Sequence, residues 1–294
     1  MKPFATLVAL GSVVCLFVLA PASDAKNRLI QVSMDTFTNS GAQHKTEVES
    51  DNFAYGDTMV GAFQIGRYPD SGAGSSDIGF TTTTDAGKKF KYGYLPGITT
   101  TTDPKDPYAR VTDPAVAYDL KHNEWLIISL PYSSTYGTYV VPIVSRSTDA
   151  LHWDDPIAIA PSNGDFMDKP WIVCDDTKTS PYYGNCYAEY IDVNLGEVLF
   201  FSTSSDGGKT WSTPVETSAV GNGGQPVVQP NGNVIVPYLA GGEIETVNST
   251  DGGASWQSPV FVANAKEAGL PAGLRDPCSS TPPRRRFRDR PRAP

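Results

Sequence analysis

A chain of 294 residues, 39% hydrophobic and 11% aromatic, can bury a sizeable core, and its 27 glycines and 24 prolines point to many turns and few long helices. The formal charge of −9 conceals a split: residues 278–294 carry six arginines against one aspartate, which leaves −14 on the rest. So acidic a body excludes nucleic acid as a partner, and the Arg- and Pro-rich end is too short to be a folded module and is expected to be disordered.

In chain order, Lys2 precedes an apolar run from Phe4 to Ala20 and then two small-x-small sites, Ala20-Pro21-Ala22 and Ser23-Asp24-Ala25. Residues 1–25 therefore read as a secretory signal peptide, with a secreted or periplasmic product and no membrane span after cleavage. An uncleaved anchor is the alternative, for which the run is short.

The segment STSSDGGKTWSTP (202–214) returns as NSTDGGASWQSP (248–259). The same skeleton of hydroxyl, any, Asp, any, Gly, any, any, aromatic spans Thr83–Phe90, Ser204–Trp211 and Ser249–Trp256. Ser147–Trp153 is a copy one residue shorter without its glycine. The aspartates 85, 149, 206 and 251 lie 64, 57 and 45 residues apart. Such a turn ties itself down: the short polar side chains accept backbone hydrogen bonds, glycine permits positive φ, and the aromatic anchors beneath.

A second marker runs in phase, a polar residue ahead of a proline: Thr112-Asp113-Pro114, Asp168-Lys169-Pro170, Gln225-Pro226 and Arg275-Asp276-Pro277. Proline is tolerated at the first residue of a strand, and the first three markers open apolar runs. Further strands are expected at 125–128, 140–144, 197–201 and 234–238. Each period of about fifty residues thus holds several short strands and one turn, and radial repetition of such units makes an all-β propeller. A β-sandwich would not need the same turn in every unit. Cys174 and Cys186 flank a polar, turn-rich segment and are expected to form a local disulfide. His44, His122 and His152 are too scattered for a metal site with them. Neither metal nor cofactor is called for.

At this level the chain resembles the Asp-box (BNR-repeat) sialidase-like propellers, secreted and bacterial in type, over roughly residues 45–277. The aspartate turns and the Trp-x-x-Pro endings carry the likeness, as do VGAFQIGRY (60–68), RVTDPAVAYDLKHNEWLI (110–127) and DKPWIVCDDTKTSPYYGNCYAEYID (168–192). The resemblance implies six blades, each aspartate turn joining the two outer strands of its blade, and ligands bound where the inner strands converge. It also implies a sialidase-like glycoside hydrolase acting on terminal sialic acid of a glycoconjugate, working as a monomer. That chemistry clamps the sugar carboxylate with arginines, uses a tyrosine activated by a glutamate as nucleophile, and takes an aspartate as general acid. Carried onto this sequence, the catalytic candidates are Asp113 or Asp168 as acid and Tyr187 with Glu189 as nucleophile pair. The substrate-binding candidates are Arg67, Arg110, Lys169, Gln225, Arg275 and Asp276. The family's N-terminal Arg-Ile-Pro signature is absent, Arg67-Tyr68-Pro69 being a loose echo, and its tyrosine comes from a later blade than Tyr187. Two alternatives stand beside this reading: a non-catalytic propeller that binds glycans or proteins, and a propeller glycosidase using two carboxylates, Asp113 and Asp168. After Pro277 the pattern stops. The expectation is an incomplete propeller domain over 26–277, lacking about one blade, that is poorly soluble and inactive as it stands.

Overall fold

The computed structural model describes residues 29–69, 74–133, 141–160 and 166–265. Its contacts divide the chain after Gln31, and the architecture below is that of the unit beginning at Val32. The expected signal peptide, the Arg275-Asp276-Pro277 marker and the Arg-rich end lie outside the described residues.

The unit is all-β, built from four consecutive four-stranded antiparallel meanders. The first comprises β1 (Gln43–Tyr55), β2 (Thr58–Arg67), β3 (Ser75–Thr83) and β4 (Lys91–Tyr94). The second holds β5 (Arg110–Asp119), β6 (Glu124–Tyr132), β7 (Ile143–Ser147) and β8 (Ile157–Ala158). Next come β9 (Met167–Cys174), β10 (Cys186–Asp192), β11 (Val198–Ser204) and β12 (Val215–Val220). The last has β13 (Val227–Val228), β14 (Val234–Ala240), β15 (Glu243–Ser249) and β16 (Val260–Asn264). A single pair, Ser75 with Val111, joins the first two meanders into one eight-stranded sheet. The strands expected at 125–128, 197–201 and 234–238 fall on β6, β11 and β14, and the proline markers fall on or just before β5, β9 and β13.

Sequence explains why the meanders stack face to face. Strand β6, EWLIISLPY, is buried at every position, as is β3, SSDIGFTTT, because both sheet faces are covered by neighbours. Three apolar clusters fill the gaps between successive meanders: Phe80 with Ile127 and Trp153, Leu126 with Ile172 and Tyr190, and Tyr187 with Val234 and Val236. The meanders are therefore blades. Cys174 and Cys186 are cross-strand partners on β9 and β10 and form the expected disulfide.

Every aspartate turn joins the third and fourth strands of its blade. Asp206 shows the wiring: its Oδ1 accepts the Ser204 hydroxyl at 2.9 Å and the Lys209 and Thr210 amides, both at 3.0 Å. Asp85 repeats it with Thr83, Lys88 and Lys89. The shortened copy lacks the glycine but keeps the left-handed residue after the aspartate, Ala150 at φ 61° as Ala86 is at 57°, and offers Asp149 to the Leu151 and His152 amides.

The turns also clamp the preceding blade. In the second, third and fourth turns the residue after the aspartate presents its carbonyl to a side chain of the blade before it: Ala150 to the Thr82 hydroxyl at 2.7 Å, Gly207 to Arg146 Nε at 2.7 Å, and Gly252 to Asn185 Nδ2 at 3.5 Å. Each turn's tryptophan packs the same way. Trp153 meets Phe80 with ring centroids 5.8 Å apart, Trp256 stacks on Phe201 at 3.5 Å, and Trp211 packs on the cluster holding Val144. Phe80, Val144 and Phe201 all stand three residues before their own blade's turn hydroxyl. The repeated turn is thus both a loop staple and the joint between blades.

Candidate functional site

The first strands of the blades run side by side, β1 against β5, β5 against β9, and β9 against β13. They enclose a cavity of about 330 Å³. Strand β1 supplies Glu49 and Asp51, β5 Asp113 and Pro114, and β9 Lys169, Pro170 and Trp171, while Gly223, Gly224 and Gln225 close the wall ahead of β13.

A bulge puts the charged groups there. β1 loses register between Val48 and Asp51, and β5 between Thr112 and Ala115. At each bulge one residue turns left-handed: Glu49 at φ 51° and Asp113 at φ 49°, matched on β9 by Lys169 at φ 51°. An L-residue pays about 1–2 kcal/mol for this conformation, and such outliers concentrate at functional sites. The same structural position in three successive blades therefore aims a carboxyl, a carboxyl and an ammonium into one channel.

The three groups are wired together. Lys169 Nζ lies 3.4 Å from Asp113 Oδ2, and the Thr112 hydroxyl donates to Asp113 Oδ1 at 2.8 Å. Gln64, buried on β2, donates through Nε2 to Thr112 Oγ1 at 2.7 Å and also to Glu49. Burial and the hydrogen bond to Asp113 push the Glu49 carboxyl up to about 7. Burial would raise Asp113 as well, but the Glu49 hydrogen bond and the Lys169 charge hold it below the usual carboxylate range. Asp168 is raised by burial, with Lys169 opposing and Asp113 adding to the rise. Asp113 is the carboxyl held low, and Glu49 and Asp168 are the carboxyls beside it that burial raises.

Asp113, Lys169 and Gln225, predicted from the proline markers, line the cavity, and Asp168 joins the cluster through Asp113 and Lys169. Arg67 lies near enough to Glu49 to oppose its rise. Arg110 is buried with its guanidinium 3.8 Å from the centre of the Tyr68 ring. Tyr187 and Glu189 share a face of β10, as alternation requires, and that face meets the fourth blade. Tyr187 is fully buried beside Gly253. Glu189 is also fully buried, its carboxyl oxygens without partners among the described residues, and burial pushes its pKa well up. It stands directly behind the cavity wall: a Cβ on Gly224 would come within 2.6 Å of its carboxyl. Arg275 and Asp276 lie outside the described residues.

Sequence reasoning missed Glu49, Asp51, Gln64 and Trp171. Glu49 and Asp51 sit on an inner strand with no proline to announce it; Asp51 instead ties β1 to β5 by accepting the Val116 amide at 2.8 Å. Among the described residues no group of three metal-ligating side chains comes together, and no helix is long and apolar enough to cross a membrane.

No family model and no curated protein matches the chain. Solved structures do. A Hadza microbial sialidase, Hz136, is similar over 69% of this chain and 44% of its own, with a TM-score of 0.50 and 18% identity. A protein of unknown function from Dyadobacter fermentans is similar over 74% of this chain and 65% of its own, at TM-score 0.58 and 16% identity. The intramolecular trans-sialidase from Ruminococcus gnavus is similar over 79% of this chain and 73% of its own, at TM-score 0.57 and 13% identity. The chain thus spans less than two thirds of the first two. At these identities the likeness is one of fold: the blades are those of a sialidase-like β-propeller.

Proposed function

We propose that the chain is a sialidase-like glycoside hydrolase acting on a terminal sialic acid, with Glu49 as general acid. The observation that carries the reading is the Glu49 carboxyl in the inner-strand cavity, raised by burial to about 7 and hydrogen-bonded to Asp113 beside Lys169. A general acid works best when its pKa lies near the operating pH. In the proposed step the glycosidic C–O bond breaks and the leaving oxygen takes the Glu49 proton. Water adds to the sugar carbon, and its proton returns to the carboxyl pair. Asp113 stabilises the positive charge that develops on the ring, Lys169 is the cavity's cation for the sugar carboxylate, and Trp171 offers an apolar face. The assignment places the acid on Glu49 rather than on Asp113 or Asp168, the sequence candidates.

The fold of the structural neighbours supports sialic acid as the substrate class, and the disulfide supports an exported protein, in keeping with a signal peptide over residues 1–25. Hydrolysis of a fluorogenic aryl-sialoside tests the reading. Against the inactivity expected from the sequence, the wild type is expected to turn over and Glu49→Gln to lose at least a hundredfold, consistent with general-acid contributions of about 10²–10⁴. Turnover unchanged by Glu49→Gln overturns the assignment. A second reading, a glycan-binding propeller without catalysis, is favoured by the described lining of the cavity, which includes Trp171 but neither tyrosine nor arginine. Saturable glycan-array binding with no turnover selects it.

A further inference from the structure

The third blade differs from the others in the connection between its first two strands. Two residues join β1 to β2, four join β5 to β6 and five join β13 to β14, whereas eleven, Asp175 to Asn185, join β9 to β10. This longest connection is the one that the Cys174–Cys186 disulfide closes.

The closed loop reaches the blades on both sides. Toward the second, the Asp176 carboxyl accepts the Leu120 amide at 2.8 Å, and Gly184 packs on the Lys121 side chain. Toward the fourth, the Tyr182 hydroxyl donates to the Thr250 carbonyl at 3.3 Å, and Asn185 Nδ2 donates to that of Gly252 at 3.5 Å. The Tyr182 ring lies so close to Gly232 and Gly252 that neither has room for a Cβ, and Ser180 also packs on Gly232. The loop therefore grips the fourth blade at two turns. Beneath that grip the two blades meet on an apolar cluster that also buries polar atoms without partners among the described residues, the Glu189 carboxyl and Thr203 Oγ1. Unpartnered burial works against the joint.

The fourth blade carries part of the candidate cavity. The Asn222 and Gln225 amides donate to the Leu239 and Pro237 carbonyls of β14 at 2.9 and 3.2 Å, so the wall at Gly223, Gly224 and Gln225 is tied to that blade. The same wall covers Glu189.

We propose that the disulfide-closed loop is a redox-sensitive strap: oxidised, it holds the fourth blade on the third, and reduction frees that blade, drawing the Gly223–Gln225 wall off the cavity and uncovering Glu189. The device acts on the wall and does not depend on the substrate assigned above. Its reductant is a small dithiol that enters by the central channel. Cys174, 8% exposed, lines a second cavity of about 220 Å³ there with Trp171 and Val173, while Cys186 is fully buried. One thiolate of the reductant attacks Cys174 Sγ, the S–S bond breaks, and Cys186 leaves and takes a proton. The second thiolate then displaces Cys174 from the mixed disulfide, and Cys174 is protonated in turn. Two electrons pass to the protein as the dithiol closes to a cyclic disulfide.

Hydrogen exchange read by mass spectrometry tests the strap, on the full chain carrying Cys15→Ser and Cys278→Ser so that one cysteine pair remains. In millimolar dithiothreitol the amides of 221–225, β14 and β15 are expected to exchange at least tenfold faster than in the oxidised protein and to recover on reoxidation, with β5 and β6 unchanged. Tyr182→Ala, its disulfide intact, is expected to speed the same amides without reductant. A disulfide that resists dithiothreitol in the folded protein, fourth-blade exchange indifferent to reduction or to Tyr182→Ala, or acceleration spread equally through all four blades each overturns the proposal.

Discussion

Adding one methyl group at two equivalent turns measures how much of the fold's stability lies in the joints between blades. Gly87 and Gly253 hold the same position in the first and fourth aspartate turns, with φ 82° and 85°. Both donate their amide to the turn hydroxyl at 2.9 Å, and alanine keeps that bond. The left-handed conformation costs an L-residue about 1–2 kcal/mol at either site. At Gly87 nothing more is added, because a Cβ there has no described neighbour within 4 Å. At Gly253 the Cβ would stand 2.4 Å from Thr203 Oγ1 and 3.1 Å from the Tyr187 ring, which the third blade cannot relieve without shifting. Overpacking of that kind costs a further 1–3 kcal/mol or so, so Gly253→Ala should lose about 2–5 kcal/mol against about 1–2 for Gly87→Ala. Urea denaturation followed by tryptophan fluorescence, at concentrations where the chain is monomeric, reads the difference. Equal losses would refute the claim that the turn is a joint and leave it a loop staple.

Replacing Cys174 and Cys186 by serine opens a loop with a separation of 12 residues and should cost about 3 kcal/mol, while non-reducing mass spectrometry of the native protein should find both thiols blocked. Stability should be greatest at about pH 4–5. Burial works to raise Asp149, Asp206 and Asp251, but hydrogen bonds outweigh it and hold them low, and backbone amides lead in lowering Asp85. Their contribution is therefore complete above the unfolded value of about 4 and disappears as pH falls through the folded values. Asp77, raised by burial to about 7, acts oppositely: its contribution is full below about 4 and disappears as pH rises to 7. Thermal melts across pH 2–9 read the dome, and a maximum above pH 7 would contradict this balance. The far-ultraviolet dichroism of the mature chain should be dominated by strand, and a helical spectrum would be incompatible with the blades.

The sequence discloses what repeats and conceals what does not. The turns and proline-marked strands were legible because each signal is local and written several times in phase, although Pro114 and Pro170 stand inside β5 and β9 and only Pro226 lies at its strand's start. Cavity residues on β5, β9 and the segment before β13 followed from those markers. Glu49 did not, because β1 enters its bulge through Glu49-Ser50-Asp51, which looks like any polar stretch, and φ is invisible in a sequence. Alternation placed Tyr187 and Glu189 on one face of β10, but which neighbour that face meets depends on how blades pack. The stacking of Arg110 on Tyr68 pairs residues 42 apart, which periodicity does not encode.

The clamp also sets an order of assembly. Since each turn secures the blade before it, a blade emerging from the ribosome has its outer surface uncapped until the next turn has been made. At about 5–20 residues per second, the interval between turns 45–64 residues apart is some 2–13 seconds. Nascent chains stalled after Asp149 should therefore protect the first blade from protease, and those stalled before it should not. Vectorial synthesis would act here as a ratchet, each new aspartate locking what was made just before it.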